Sequence, residues 1–147
     1  VFESTLASVV SLAAFMPLIM AAAGNVGTQS LAVSLRNMND EDDDETDLKE
    51  VLFNEAKTGV LLGGVSGIVV FGIVMVLYQD WVLSIIVGLS IFFSIIISAV
   101  IGTLIPDIIV KLKFDPAVAS GPFITTINDT LGLLIYFIIA STLIHLL

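Results

Sequence analysis

The chain has 147 residues, with five Lys or Arg, fourteen Asp or Glu, one His and no Cys, a net charge of -9 and a mean hydropathy of +1.09. A soluble core of this size cannot hide the 57% of residues that are apolar, which excludes an ordinary globular domain. The lack of Cys excludes a disulfide scaffold and thiolate metal sites, and the acidic, Lys-poor balance argues against nucleic acid as a partner.

Three charge-free runs are long enough to cross a bilayer: Ser4 to Leu35, Thr58 to Gln79 and Trp81 to Pro106. A fourth, Pro116 to Ile144, is broken only by Asp129. A hydrocarbon core of about 30 Å needs about 20 mostly apolar helical residues. Backbone groups in lipid must pair within their own segment, so these runs predict helices; they lack the alternation of barrel strands. The expected fold is all-α, a polytopic membrane protein with four transmembrane helices near 4–24, 57–79, 82–109 and 120–146. Val1 is not Met and stands almost at a span, so the chain reads as a piece of a longer protein.

The first span ends in Gly24-Asn25-Val26-Gly27-Thr28-Gln29, seven residues beyond Pro17. Two Gly with amide and hydroxyl side chains at this depth fit a helix that unwinds to line a cavity. They fit equally a C-cap followed by an amphipathic stretch up to Arg36. Next comes an acidic loop, expected over 37–50. Eight of the fourteen acids lie between Asp40 and Glu50. Such a run repels itself and stays solvated, and it lacks the Gly turn and spaced ligands of an EF-hand. It reads as a cytoplasmic loop, with a weak cation reservoir as the sharper alternative. Leu48 to Lys57 forms an amphipathic lead-in to the second span.

The second span carries Gly59, Gly63 and Gly67 at four-residue spacing. The third carries Ser84 and Gly88, then Ser90, Ser94, Ser98 and Gly102. Stripes of small residues let helices approach closely, and packing is the reading for both.

Charge placement predicts orientation. Arg36, Lys49, Lys57, Lys111 and Lys113 all belong to the side holding segments 25–56 and 110–119, and none belongs to the other. That side is cytoplasmic by the positive-inside rule, which puts both ends of the chain outside.

Asp129 is the residue that no plain anchor needs. At 1.5 Å per residue it stands roughly 20 Å from Pro116 and 24 Å from His145, near the bilayer midplane. A carboxylate there costs about 2.5–3.5 kcal/mol on insertion scales. No Lys or Arg sits at matching depth. Asp129 is therefore either a neutral acid bonded to a neighbouring helix or a carboxylate facing water and a cation. The polar neighbours Thr125, Thr126 and Asn128 favour the wet reading, and Gly121, Thr125, Asp129, Gly132 and Tyr136 are expected on one face. Hard divalent cations take oxygen ligands, and Mg2+ keeps much of its water and uses one or two carboxylates. One Asp per chain thus points to a homodimer with the last helix at the axis. No nucleophile–base pair, phosphate loop or His cluster is present in the sequence, so the expectation is a pore and not an enzyme. His145 reads as an interfacial residue.

Phe15-Met16-Pro17-Leu18-Ile19-Met20, Gly24-Asn25-Val26-Gly27-Thr28-Gln29-Ser30 and Arg36 resemble the second transmembrane helix of the MgtE magnesium channel family. Asp115-Pro116-Ala117-Val118-Ala119-Ser120-Gly121-Pro122-Phe123-Ile124-Thr125-Thr126-Ile127-Asn128-Asp129 resembles its last helix. The resemblance implies a homodimeric Mg2+ channel in the cell membrane with five helices per protomer, of which these would be the last four. It implies Mg2+ binding at Asp129, with the backbone of Thr125 one turn earlier. Gly121, Asn25, Asn128, Gly24 and Gly27 are then expected to line the pore, and Asp115 to form a cation site at the cytoplasmic mouth. Cytosolic gating domains are expected in the full-length protein if it is of the bacterial type. A cation-coupled exchanger and a non-conducting membrane scaffold are the competing expectations.

Overall fold

A computed structural model describes residues 2–38, 48–115 and 121–143. It contains four α-helices: α1 (Phe2–Met38), α2 (Leu48–Tyr78), α3 (Trp81–Lys111) and α4 (Gly121–Leu143). All four are long and apolar enough to cross a membrane. The fold is the expected all-α one. The acidic run 40–47 and His145 lie outside the described residues.

Two helix boundaries differ from expectation. The first helix does not end near residue 24: α1 runs on to Met38, so Gly24 to Gln29 form neither an unwound segment nor a C-cap. The polar groups there are absorbed within the helix, because the Thr28 hydroxyl bonds back to the carbonyls of Gly24 (2.8 Å) and Asn25 (2.9 Å). Likewise α2 starts at Leu48 rather than 57, which takes the end of the expected acidic loop into a helix with Glu50 in its first turn. The 37 residues of α1 extend about 55 Å, well beyond the hydrocarbon thickness.

Helix α3 is the centre of the bundle. Fifteen of its residues are buried, against four in α2, and it packs on all three other helices. On the opposite side, α2 turns Leu61, Val65, Ile68, Val76 and Leu77 outward, as a lipid-facing surface requires.

The turn between α2 and α3 is short. Gln79 takes a left-handed φ of 53° and Asp80 caps α3, its carboxylate accepting from the amides of Val82 (2.9 Å) and Leu83 (3.0 Å). At its far end α3 closes in a Schellman motif. The Lys113 amide donates to Val110, the Phe114 amide to Ile109, and Lys113 has a φ of 63°.

From that turn α2 and α3 run antiparallel in a fixed register. A Cβ on Gly59 would meet the Ile96 Cα at 3.0 Å, one on Gly63 the Phe92 carbonyl at 2.8 Å, and one on Gly67 the Gly88 carbonyl at 2.8 Å. Each glycine of the α2 stripe therefore lies on α3 backbone, which confirms packing as its role.

Both intrahelical prolines sit beside a hydroxyl from another helix. Pro17 and Pro106 each deprive a carbonyl four residues earlier of its donor. The Tyr136 hydroxyl of α4 donates to Leu12 O (2.7 Å), and the Ser34 hydroxyl of α1 donates to Thr103 O (3.2 Å). The freed carbonyls are those of Ala13 and Gly102, and each hydroxyl bonds the carbonyl next to one of them.

Candidate cation site on α4

Helix α4 has two polar lines one residue apart. Ile124, Asn128, Gly132, Tyr136 and Ala140 recur at four-residue spacing and are all buried. Thr125 and Asp129 lie one position on, about 100° around the helix, and are only half-buried.

Two glycines of α1 make room for these lines. A Cβ on Gly24 would stand 3.0 Å from Asp129 Oδ1 and 3.5 Å from Thr125 Cγ2. A Cβ on Gly27 would collide with the Asn128 amide nitrogen and lie 2.8 Å from its Cγ. Gly27 is itself crowded from behind, because a Cβ on Gly102 of α3 would run into its carbonyl oxygen. Gly24 and Gly27 are therefore floor positions on which α4 rests.

Asp129 also borders an open groove of about 480 Å3, shared with Met20, Thr126, Thr130, Leu133, Leu134 and Phe137. Among the described residues its carboxylate has no hydrogen-bond donor and no ion pair. The alternative of an Asp bonded to a neighbouring helix is therefore not realised within the described residues. The hydroxyls of Thr125 and Thr126 both donate to Pro122 O (3.0 and 2.8 Å), and that of Thr130 donates to Thr126 O (2.8 Å). Each hydroxyl oxygen keeps lone pairs for water. No group of three or more His, Asp or Glu capable of holding a metal occurs among the described residues. One chain thus offers one carboxylate at the edge of an open groove.

The expected single face is split. Asp129 borders the groove, Thr125 sits over Gly24 and is not among the groove residues, and Gly132 and Tyr136 turn inward. A Cβ on Gly132 would meet Ala23 at 3.2 Å and Ile19 at 3.6 Å, and Tyr136 is fully buried. The step from 129 to 132 is three residues rather than four, and that carries the line from the groove into the seam. Asn128 is not on the groove either; it is fully buried over Gly27. Gly121 faces Thr28 of α1, whose Cγ2 lies 3.8 Å from the Cβ position. Asn25 is exposed beside Gly24. Asp115 is exposed just past the end of α3 and is not among the groove residues.

Met20, Thr130 and Phe137 border the carboxylate without any sequence signal having singled them out. Thr130 could have been found by its four-residue spacing from Thr126; Met20 could not, because only the α1–α4 crossing brings it near. The bond from the Ser30 hydroxyl to Glu55 Oε2 (2.8 Å), which ties α1 to α2, is likewise invisible in the sequence.

Residues 16–139, which include Gly24, Gly27, Asn128 and Asp129, match the MgtE family of divalent cation transporters. The chain belongs to the MgtE family. It is 45% identical over 98% of its length to magnesium transporter MgtE of Bacillus subtilis. It is 41% identical over 95% to the protein of that name from Enterococcus faecalis. The identity is 33% over 98% for that of Thermus thermophilus. The chain spans about a third of the length of these relatives, 32%, 31% and 32% respectively. This MgtE-family chain is a multi-pass membrane segment: its four spans cover most of the matched residues.

Proposed function

We propose that this chain is the pore-forming part of a homodimeric Mg2+ transporter, in which Asp129 holds the hydration shell of the passing ion. The observation that carries the reading is the Asp129 carboxylate, the one charged group of α4, unpaired among the described residues and open to a groove. An ionised side chain at that depth is tolerated where it meets water, a cation or both. The name shared by the relatives, magnesium transporter, supports Mg2+ as cargo.

In this reading a second copy faces the groove and brings its own Asp129, so that two carboxylates flank one hydrated ion. Thr125 and Thr126 border the path, and Gly121 and Asn25 mark its cytoplasmic end. Asp115 supplies negative potential at the mouth, where it raises local cation concentration. The carboxylate pair attracts any divalent ion, so discrimination rests on pore width and retained water. The segments 25–56 and 110–119 lie at the cytoplasmic side.

The test is Mg2+ uptake by the full-length protein in liposomes. Asp129→Asn keeps shape and removes charge; flux is expected to fall at least about tenfold, equivalent to about 1.4 kcal/mol. Wild-type flux in Asp129→Asn overturns the assignment of Asp129, and absence of flux in the wild type favours a scaffold. Flux that requires an opposing Na+ or H+ gradient turns the pore into an exchanger.

A further inference from the structure

A second polar site lies behind Asp129, on the other side of α4. The Asn128 side chain is fully buried, and neither its Oδ1 nor its Nδ2 has a hydrogen-bond partner among the described residues. The Ser94 hydroxyl of α3, 1% exposed, is in the same condition. Both face the seam where α1, α3 and α4 meet. Asn128 is seated on Gly27, and Ser94 Oγ is 3.7 Å from the Cβ position of Gly132, one turn along α4 from Asn128. Buried polar groups in folded proteins are nearly always bonded, to protein or to ordered water, and three orphan atoms in one seam need a partner.

We propose that this seam is an internal water-binding site, in which the Asn128 amide and the Ser94 hydroxyl hold buried water. The chemistry selects water over an ion. The seam is built from neutral groups, and the amide presents a donor as well as an acceptor whichever way it is turned. A cation would be repelled by the donor, an anion by the acceptor, and a buried ion would lack a countercharge. Water both donates and accepts, and a buried water makes about three hydrogen bonds. The site stands whether or not Asp129 carries Mg2+.

The test is X-ray hydroxyl-radical labelling of the full-length protein, because bound water produces the radical in place. Ile124 is fully buried, and its Cγ2 lies 3.4 Å from the same Gly27 Cβ position that the Asn128 amide occupies. Ile86 and Val87 are equally buried, stand two turns of α3 from Ser94 and belong to the other apolar cluster, which draws on all four helices, so they serve as dry references. Ile124 is expected to be labelled several-fold faster than Ile86 and Val87 in the wild type. Asn128→Leu and Ser94→Ala are expected to bring it down toward the reference rate. Equal labelling of Ile124 and the references in the wild type overturns the proposal, and that comparison needs no variant to fold. Fast Ile124 labelling that survives both substitutions overturns the assignment to these two side chains.

Discussion

The α2–α3 and α1–α4 seams are both built on glycines, yet they hold different things. In the first, Gly59, Gly63 and Gly67 lie on α3 backbone at Ile96, Phe92 and Gly88. In the second, Gly24 and Gly27 lie under the side chains of Asp129 and Asn128. The first is a dry contact between main chains and fixes one helix on another. The second trades that close approach for polar side chains within the bundle. A glycine stripe therefore signals a gap, and the partner helix decides whether backbone or chemistry fills it.

The largest expected effect tests the backbone seam. Gly67→Val places two methyl groups where the Gly88 carbonyl stands, and no side-chain rotation can clear main chain. Overpacking of this kind costs about 1–3 kcal/mol and occasionally more. The expected outcome is loss of the folded protein, or a large fall in its thermal midpoint in detergent. A midpoint indistinguishable from wild type would show that α2 and α3 do not cross this closely.

The next effect separates the two seams. Gly67→Ala and Gly27→Ala should each destabilise by about 1–3 kcal/mol. Only the second has an obstacle that can be removed. Truncating the amide in the double variant Gly27→Ala/Asn128→Ala should restore most of the loss, with a coupling of about 1 kcal/mol or more in a double-mutant cycle. No truncation should rescue Gly67→Ala, since its obstacle is the Gly88 carbonyl. Simple additivity at 27 and 128 would break the distinction between the seams.

The polar bridges come third. Tyr136→Phe removes the bond to Leu12 O beside Pro17, which is expected to lower stability by about 0.5–1.5 kcal/mol. Ser34→Ala, which loses the bond to Thr103 O, should behave alike. A Tyr136→Phe protein as stable as wild type would mean that this hydroxyl contributes nothing beyond its burial.

Much of this is legible in the sequence because the bilayer leaves few options. Apolar runs of sufficient length must be helices, and Asp129 stands out because nothing at its depth can neutralise it. The rest depends on packing. Glycine next to Asn normally reads as a stop signal, which puts the end of the first helix at Gly24 and not at Met38. Here the flexibility cost of Gly24 and Gly27 is offset by the room they give to α4. Asn128 and Asp129 are adjacent in sequence, and no pattern of types tells which faces the groove. The burial of Ile124, Gly132, Tyr136 and Ala140 settles it, and that line is visible only once α4 meets α1 and α3.

The smallest expected effect is also the most selective. Gly63 and Gly64 are neighbours in one stripe-bearing helix, and hydropathy does not distinguish them. A Cβ on Gly63 would stand 2.8 Å from the Phe92 carbonyl, whereas one on Gly64 or Gly72 would meet nothing within 4 Å. Gly64→Ala and Gly72→Ala thus add no clash, and Ala is the better helix former by about 0.8–1.0 kcal/mol in peptide hosts. Both variants should unfold at or slightly above the wild-type midpoint, with uptake unchanged. Gly63→Ala, one residue away from Gly64, should fall below it. A destabilised Gly64→Ala would instead mean that a further element fills the groove that Gly64 borders with Gly67, Ile85 and Leu89, and the close contact would no longer end at Gly63.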